Sequence, residues 1–234
     1  MNRIYAAVIV AGGSGSRMQA AMPKQFLPLR NKPILWHTIQ AFLHFRPHMP
    51  LVVVLPHSYI DYWQTEWAKL EKDCPFICVP GGSSRFHSVW NGLLALKQHL
   101  DEPEHALVGI HDGARPLIGS TLLERVYEAA TMHGSAIPAV PLKDSIREVM
   151  EPEGHRAVER SRYRLVQTPQ VFVFHDLVEA YERAWRSGNT ERFTDDASVM
   201  EAAGHRLHLV EGDYRNLKIT TAEDMLVAAA LMSK

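Results

Sequence analysis

Cysteine is scarce in this chain. Cys74 and Cys78 are the only two in 234 residues, and they stand four apart rather than in C-x-x-C spacing. No second pair supplies the remaining ligands of a structural zinc site. They are expected to be packing residues in a reducing compartment. Long hydrophobic runs are also missing, so no segment is expected to span a bilayer. The N-terminus enters its first apolar run without a charged n-region and cleavage site, which makes the cytoplasm the expected location. Neither sign of charge is in excess. The 25 Lys and Arg against 26 Asp and Glu give a formal net charge of −1. That leaves no global basic field to attract nucleic acid. Common catalytic signatures fail as well. There are 13 histidines but no H-E-x-x-H, and Pro47 breaks any helix that would align His44 with His48. No G-x-S-x-G elbow occurs, which gives a hydrolase triad little support.

The hydrophobic fraction, 46%, is ample for a sizeable core. Apolar runs alternate with helical spacing. Residues 4–10, 51–55, 76–79, 106–110 and 171–174 read as buried strands. Helical patterns cover 33–45, 58–72, 84–100, 175–186 and 194–203. Further strands are expected at 207–210 and 216–219. Capping boxes are expected at Thr121 with Glu124, at Asp176 with Glu179 and at Thr220 with Glu223, and Gly134 suits a helix stop. This order predicts an α/β fold: a mostly parallel sheet with helices on both faces, forming one domain over 1–234. The rhythm breaks at 140–167. That stretch is charged, lacks helical spacing and carries turn chemistry at Pro152–Gly154, so a hairpin is expected there. A hairpin so poor in apolar residues is marginal alone. Residues 140–160 are therefore read as an arm that packs on a second copy of the chain.

The first strand leads into "VIVAGGSGSRMQAAMPKQFLPL" (8–29). Gly12, Gly13 and Gly15 permit a tight turn and close backbone approach to a ligand. Successive N–H groups in such a turn make an anion-binding concavity. Two standard phosphate loops are excluded. The Walker pattern is absent, and the dinucleotide pattern lacks its third glycine and the acid about 20 residues on. Arg17 and Lys24 follow instead. Two cations beside backbone donors suit the triphosphate of a nucleotide.

Three other stretches carry candidate chemistry. In "VGIHDGARPL" Asp112 ends a buried strand, where ligands of open α/β sheets gather, and a carboxylate beside a triphosphate suits Mg²⁺. Arg115 follows on the loop, and the bland alternative is that it merely pairs with a turn-capping Asp112. In "VPGGSSRFHSVWNGL" Gly82 and the serines open a helix. Arg85 and Ser88 face the same side there, either toward a nucleotide base or as parts of a helix cap. Arg160, Thr168, Thr194 and Lys218 lie near predicted strand ends and suit a second phosphate or a polyol. Thr194 could equally be an N-cap, and Lys218 a solvated residue.

Taken in order, "AGGSGSRM", "PKQFLPL", "GGSSRFHSV", "HDGARP", "PLKDSI", "TPQVF", "TDDASVME" and "NLKIT" resemble the 2-C-methyl-D-erythritol 4-phosphate cytidylyltransferase family over essentially the whole chain. Ribitol 5-phosphate cytidylyltransferases share most of these blocks and are the alternative. The resemblance implies a Rossmann-like nucleotidyltransferase fold, Mg²⁺ dependence and a homodimer clasped by the arm. It implies that Ala11, Gly12, Gly13, Ser14 and Gly15, with Gly82, Arg85, Ser88 and Asp112, bind CTP. Arg17 and Lys24 would act on the phosphates. Asp112, Arg115, Ser145, Arg160, Thr168, Thr194 and Lys218 would line the sugar-phosphate pocket, Arg160 and Lys218 holding the attacking anion. Ser145 stands where family members often have Thr, and it keeps the hydroxyl.

Overall fold

The computed structural model describes residues 3–12 and 22–233. Strand β1 (Ile4–Val10) is followed by a short hairpin, β2 (Pro28–Leu29) and β3 (Lys32–Pro33), and by helix α1 (Ile34–Phe45). Then come β4 (Leu51–Leu55), α2 (Ile60–Leu70), β5 (Ile77–Pro80), α3 (Arg85–Lys97), β6 (Ala106–Asp112), α4 (Ser120–His133) and β7 (Ser135–Pro141). The arm strands are β8 (Arg147–Val149) and β9 (His155–Ala157). The chain closes with β10 (Arg164–Val166), β11 (Gln170–Val173), α5 (Phe174–Arg186), α6 (Asp196–Ala202), β12 (Leu209–Glu211) and α7 (Ala222–Leu231).

Eight strands of the described residues form one sheet, in the order β10-β7-β11-β6-β1-β4-β5, with β12 on the other edge of β7. β5, β4, β1 and β6 are mutually parallel. β11 runs antiparallel to β6 and β7, and β10 runs antiparallel to β7. Side chains of a strand alternate between its faces, and the core divides accordingly. Ala7, Ile9, Val53 and Leu55 pack with α1, α2 and α4, whereas Ala6, Val8, Val52 and Val54 pack with α3, α5 and α6. The expected helices on both faces are present. β6, at the centre, is buried along its whole length, and its carboxyl end is Asp112.

Two of the expected capping boxes are corrected. α4 begins at Ser120, so Thr121 already lies inside it, and Gly119 caps without a side-chain bond. α5 begins at Phe174, so Asp176 sits in its first turn, where a negative charge complements the helix dipole. The box of α7 exists one residue further on, between Thr221 and Asp224. Gly134 does end α4, at φ 79°, a left-handed conformation that glycine adopts without strain. Residues 216–219 form no strand. They make single bridges rather than a ladder: Ile219 N–H donates to Ala114 O at 2.8 Å, and the Asn216 amide donates to Thr168 O at 2.8 Å. Cys78 is half-buried and its thiol is pushed up to about 12 by burial, but Cys74 is exposed and does not serve the core.

The hairpin at 147–157 pairs Arg147 with Ala157 and Val149 with His155. Every residue of both strands is exposed. Its only described support is within itself, including Arg156 Nε to Glu148 Oε2 at 2.5 Å.

Candidate active site

At the carboxyl end of β6 a cavity of about 170 Å³ is lined by Arg85, Asp112, Arg115, Val166, Gln167, Thr168, Gln170, Thr194, Asp195 and Lys218. Its far wall exists because β10 and β11 are one strand interrupted. Arg164 faces Pro141 and Val171 faces Ala136, so seven steps on one strand run against five on β7. The Gln167 N–H still reaches Pro138 O on β7 at 2.8 Å, and Thr168 and Pro169 then bulge out of the ladder, as bulges beside functional sites do. The Asp112 N–H donates to the Thr168 hydroxyl at 3.0 Å, which fixes the bulge to β6.

Asp112 is the centre of charge. Lys218 Nζ lies 2.9 Å from its Oδ2, Arg115 Nε 3.4 Å from the same oxygen, and Arg85 Nε 3.8 Å from Oδ1. Burial alone would raise this carboxyl, but Arg85, Lys218 and Arg115 together hold it well below the usual carboxylate range. Arg85 is also matched elsewhere. Its guanidinium forks onto the fully buried Asp196 at 3.1 and 2.6 Å, and Tyr181 donates to Asp196 Oδ1 at 2.7 Å. Arg115 and Lys218 therefore share the single charge of Asp112, and that group of three keeps one positive charge in excess. Asp195, the other carboxylate of the lining, caps α6 and accepts from Gln170 Nε2 at 2.8 Å.

The loops after β1 and β5 meet across Ser88. Its hydroxyl donates to Ser84 O at 2.9 Å and accepts from Gly82 N–H at 3.1 Å. A Cβ at Gly12 would lie 3.3 Å from this oxygen, and one at Gly81 would lie 3.0 Å away. Glycine at both positions lets the β1 and β5 loops close on one serine. Ser84, not Ser88, caps α3. Ala11 O accepts from Gln25 Nε2 at 2.5 Å, which ties the segment after the first loop to the end of β1.

Asp112, Arg115, Thr168, Thr194, Lys218 and Arg85 line one cavity. Lys24 reaches the same neighbourhood, donating to Ile219 O at 2.8 Å, beside Lys218. Thr194 is not a cap, because Asp195 holds that position. Gly13, Ser14, Gly15 and Arg17 lie outside the described residues. Ser145 and Arg160 are exposed and do not line the cavity; the Arg160 guanidinium bonds Lys143 O instead. Sequence reading missed Asp196, Gln167, Gln170 and His111. The adjacent acids of "TDDAS" were the signal for Asp196; nothing in spacing alone separates it from Asp195.

Glycine loops and a cation-rich carboxylate at the strand ends define an α/β enzyme that handles phosphorylated ligands. Comparison with known proteins narrows this. The family model described as 2-C-methyl-D-erythritol 4-phosphate cytidylyltransferase matches residues 5–234. Proteins of that name from Bacteroides fragilis and Bacteroides thetaiotaomicron are 42% and 40% identical, covering 97% and 96% of this chain and 98% of each relative. The crystal structure of the protein of that name from Thermus thermophilus superposes with a TM-score of 0.78 at 33% identity, covering 100% of both chains. The chain belongs to the 2-C-methyl-D-erythritol 4-phosphate cytidylyltransferase family, a family of nucleotidyltransferases.

Proposed function

We propose that this enzyme transfers CMP from CTP to 2-C-methyl-D-erythritol 4-phosphate, giving 4-diphosphocytidyl-2-C-methyl-D-erythritol and pyrophosphate for isoprenoid precursor synthesis. The observation that carries the reading is the Asp112–Arg115–Lys218 group at the end of β6, beside the Gly12 and Gly82 loops, in a chain of this family. Ribitol 5-phosphate is the disfavoured alternative, since the matched family and the relatives above all name methylerythritol phosphate.

A phosphate oxygen of the polyol attacks the α-phosphorus of CTP, the bond to the bridging oxygen breaks, and pyrophosphate leaves with the electron pair. The attacking phosphate is already an anion and needs no general base; it must be held against a second anion. Lys218 and Arg115 supply that attraction, and Arg17 and Lys24 stabilise the charge that grows on the triphosphate. The first loop, from Ala11 to Gly15, and Gly82 bind the nucleotide. Among the described residues no group of three or more His, Cys, Asp or Glu is placed to hold a metal. Mg²⁺ commonly takes one or two carboxylates and completes its shell with phosphates and water. One carboxylate is present in Asp112, whose Oδ1 lies 3.8 Å from Arg85 Nε. Asp112 thus fits such an ion, which would neutralise phosphate charge when bound.

The reading includes a homodimer and a cytoplasmic enzyme. The support for the dimer is the arm, exposed on both strands, with Val149 78% accessible. Docked on a second subunit, it carries Ser145 and Arg160 toward the partner's cavity. The support for location is the pair of soluble, charged substrates. Pyrophosphate release from CTP with methylerythritol phosphate, compared with ribitol 5-phosphate, tests the activity; equal or better turnover of the ribitol ester overturns the substrate. Subunit exchange between an arm-defective variant and Lys24→Ala tests the dimer. Recovery should approach about a quarter of wild-type sites for a twofold assembly; no recovery after demonstrated exchange overturns a shared site.

A further inference from the structure

Behind Asp112 lies His111, fully buried and outside the cavity lining, with both ring nitrogens engaged. Nε2 is 3.2 Å from Arg115 O, and Nδ1 is 3.1 Å from the Thr168 hydroxyl. A carbonyl oxygen only accepts, so Nε2 carries the proton. The ring is fully buried and both its nitrogens meet uncharged partners, so desolvation keeps it neutral and Nδ1 holds a lone pair. The one hydroxyl proton of Thr168 must then point at Nδ1. One lone pair of the same oxygen already accepts the Asp112 N–H at 3.0 Å. What remains is a second lone pair, on a side chain that lines the cavity.

We infer that His111 is a positioning residue that fixes the Thr168 hydroxyl as an acceptor, so that this wall recognises a donor hydroxyl of the polyol and not a phosphate oxygen. An anionic oxygen has no proton to give, and against Thr168 it would meet a lone pair. Phosphate is left to Lys218 and Arg115, which only donate. The wall thus sorts the two ends of a polyol phosphate by hydrogen-bond polarity. This rests on the reading that the polyol phosphate occupies the cavity.

The test has a part that needs no substrate. In ¹⁵N spectra of the wild-type protein, His111 should show a protonated Nε2 and an unprotonated Nδ1 at neutral pH. The opposite tautomer, or a charged ring, overturns the inference whatever the enzyme acts on. The second part is kinetic. Analogues of the polyol phosphate, each with one hydroxyl replaced by fluorine, cannot donate there. One analogue should lose about tenfold in kcat/KM with the wild type and nothing further with Thr168→Val, while Thr168→Ser restores the discrimination. His111→Phe should raise KM for the polyol phosphate about tenfold and leave KM for CTP within about twofold. No analogue coupled to Thr168, or equal changes in both KM values, overturns the inference. A wild-type protein that turns over no polyol phosphate overturns the functional reading instead, and the tautomer then still decides the polarity of Thr168.

Discussion

The carboxyl end of β6 and the β8–β9 arm are built from similar residue types, charged and hydroxyl-bearing, yet they are held in opposite ways. At Asp112 the partners come mostly from distant parts of the chain: Arg85, Lys218 and, through its N–H, Thr168, with Arg115 three residues on. In the arm the partners lie across the same turn, as with Arg156 and Glu148, and all six strand residues are exposed. Buried and matched charges are costly to unpair, whereas exposed pairs contribute about 0–1 kcal/mol. The first region is therefore fixed by the fold of one chain. The second is flanked by Ser145 and Arg160, which are exposed and do not line the cavity of their own chain.

The sharpest break of this comparison is Asp196→Ala. It removes the forked partner of the Arg85 guanidinium at the cavity wall, leaving Asp112 at 3.8 Å, and takes the buried acceptor from the Tyr181 hydroxyl. The expected loss is about 3–5 kcal/mol of unfolding free energy by denaturant titration. A loss below about 1 kcal/mol would mean that the pair is as solvated as those of the arm.

Lys24→Ala tests the catalytic side of the same corner. Removing one preorganised charge from a developing anion is expected to lower kcat about 10²–10³-fold, with CTP binding changed only a few-fold. Full turnover at saturating substrate would remove Lys24 from the chemistry.

His111 gives the buried region a pH signature. The unfolded chain binds its proton near the ordinary value of 6.5, but burial makes the folded ring resist protonation down to about 4. Between those values the unfolded state holds more protons, so stability from this group is full above 6.5 and is lost as pH falls through about 4. The amplitude is up to about 3 kcal/mol. His111→Phe should flatten that part of the stability-against-pH curve; an unchanged slope would assign it to other groups.

The smallest effect is expected in the arm. Val149→Ser should leave the stability of the isolated subunit within about 0.5 kcal/mol, because the side chain is 78% exposed. A sharp concentration dependence of activity introduced by the same change would show that the valine is buried against a second subunit.

The sequence by itself determined the alternating order of strands and helices, the strand at 51–55 to the residue, the hairpin around Pro152–Gly154 and the stop at Gly134. Those features rest on short-range causes: apolar runs, periodicity, and the backbone freedom of glycine. It also placed Asp112 and Arg115 together, since they are three residues apart. Tertiary structure alone decided the rest. Lys218 meets Asp112 across 106 positions and Arg85 meets Asp196 across 111, and no local pattern encodes which distant charge a buried carboxylate will find. Helix caps shifted by one to three residues because packing, and not the nearest polar side chain alone, sets where a helix begins. Residues 216–219 read as a strand in sequence because they are apolar in part, but a strand also needs a neighbouring edge. No described strand pairs with them; their bridges go singly to the β6 loop and to Thr168.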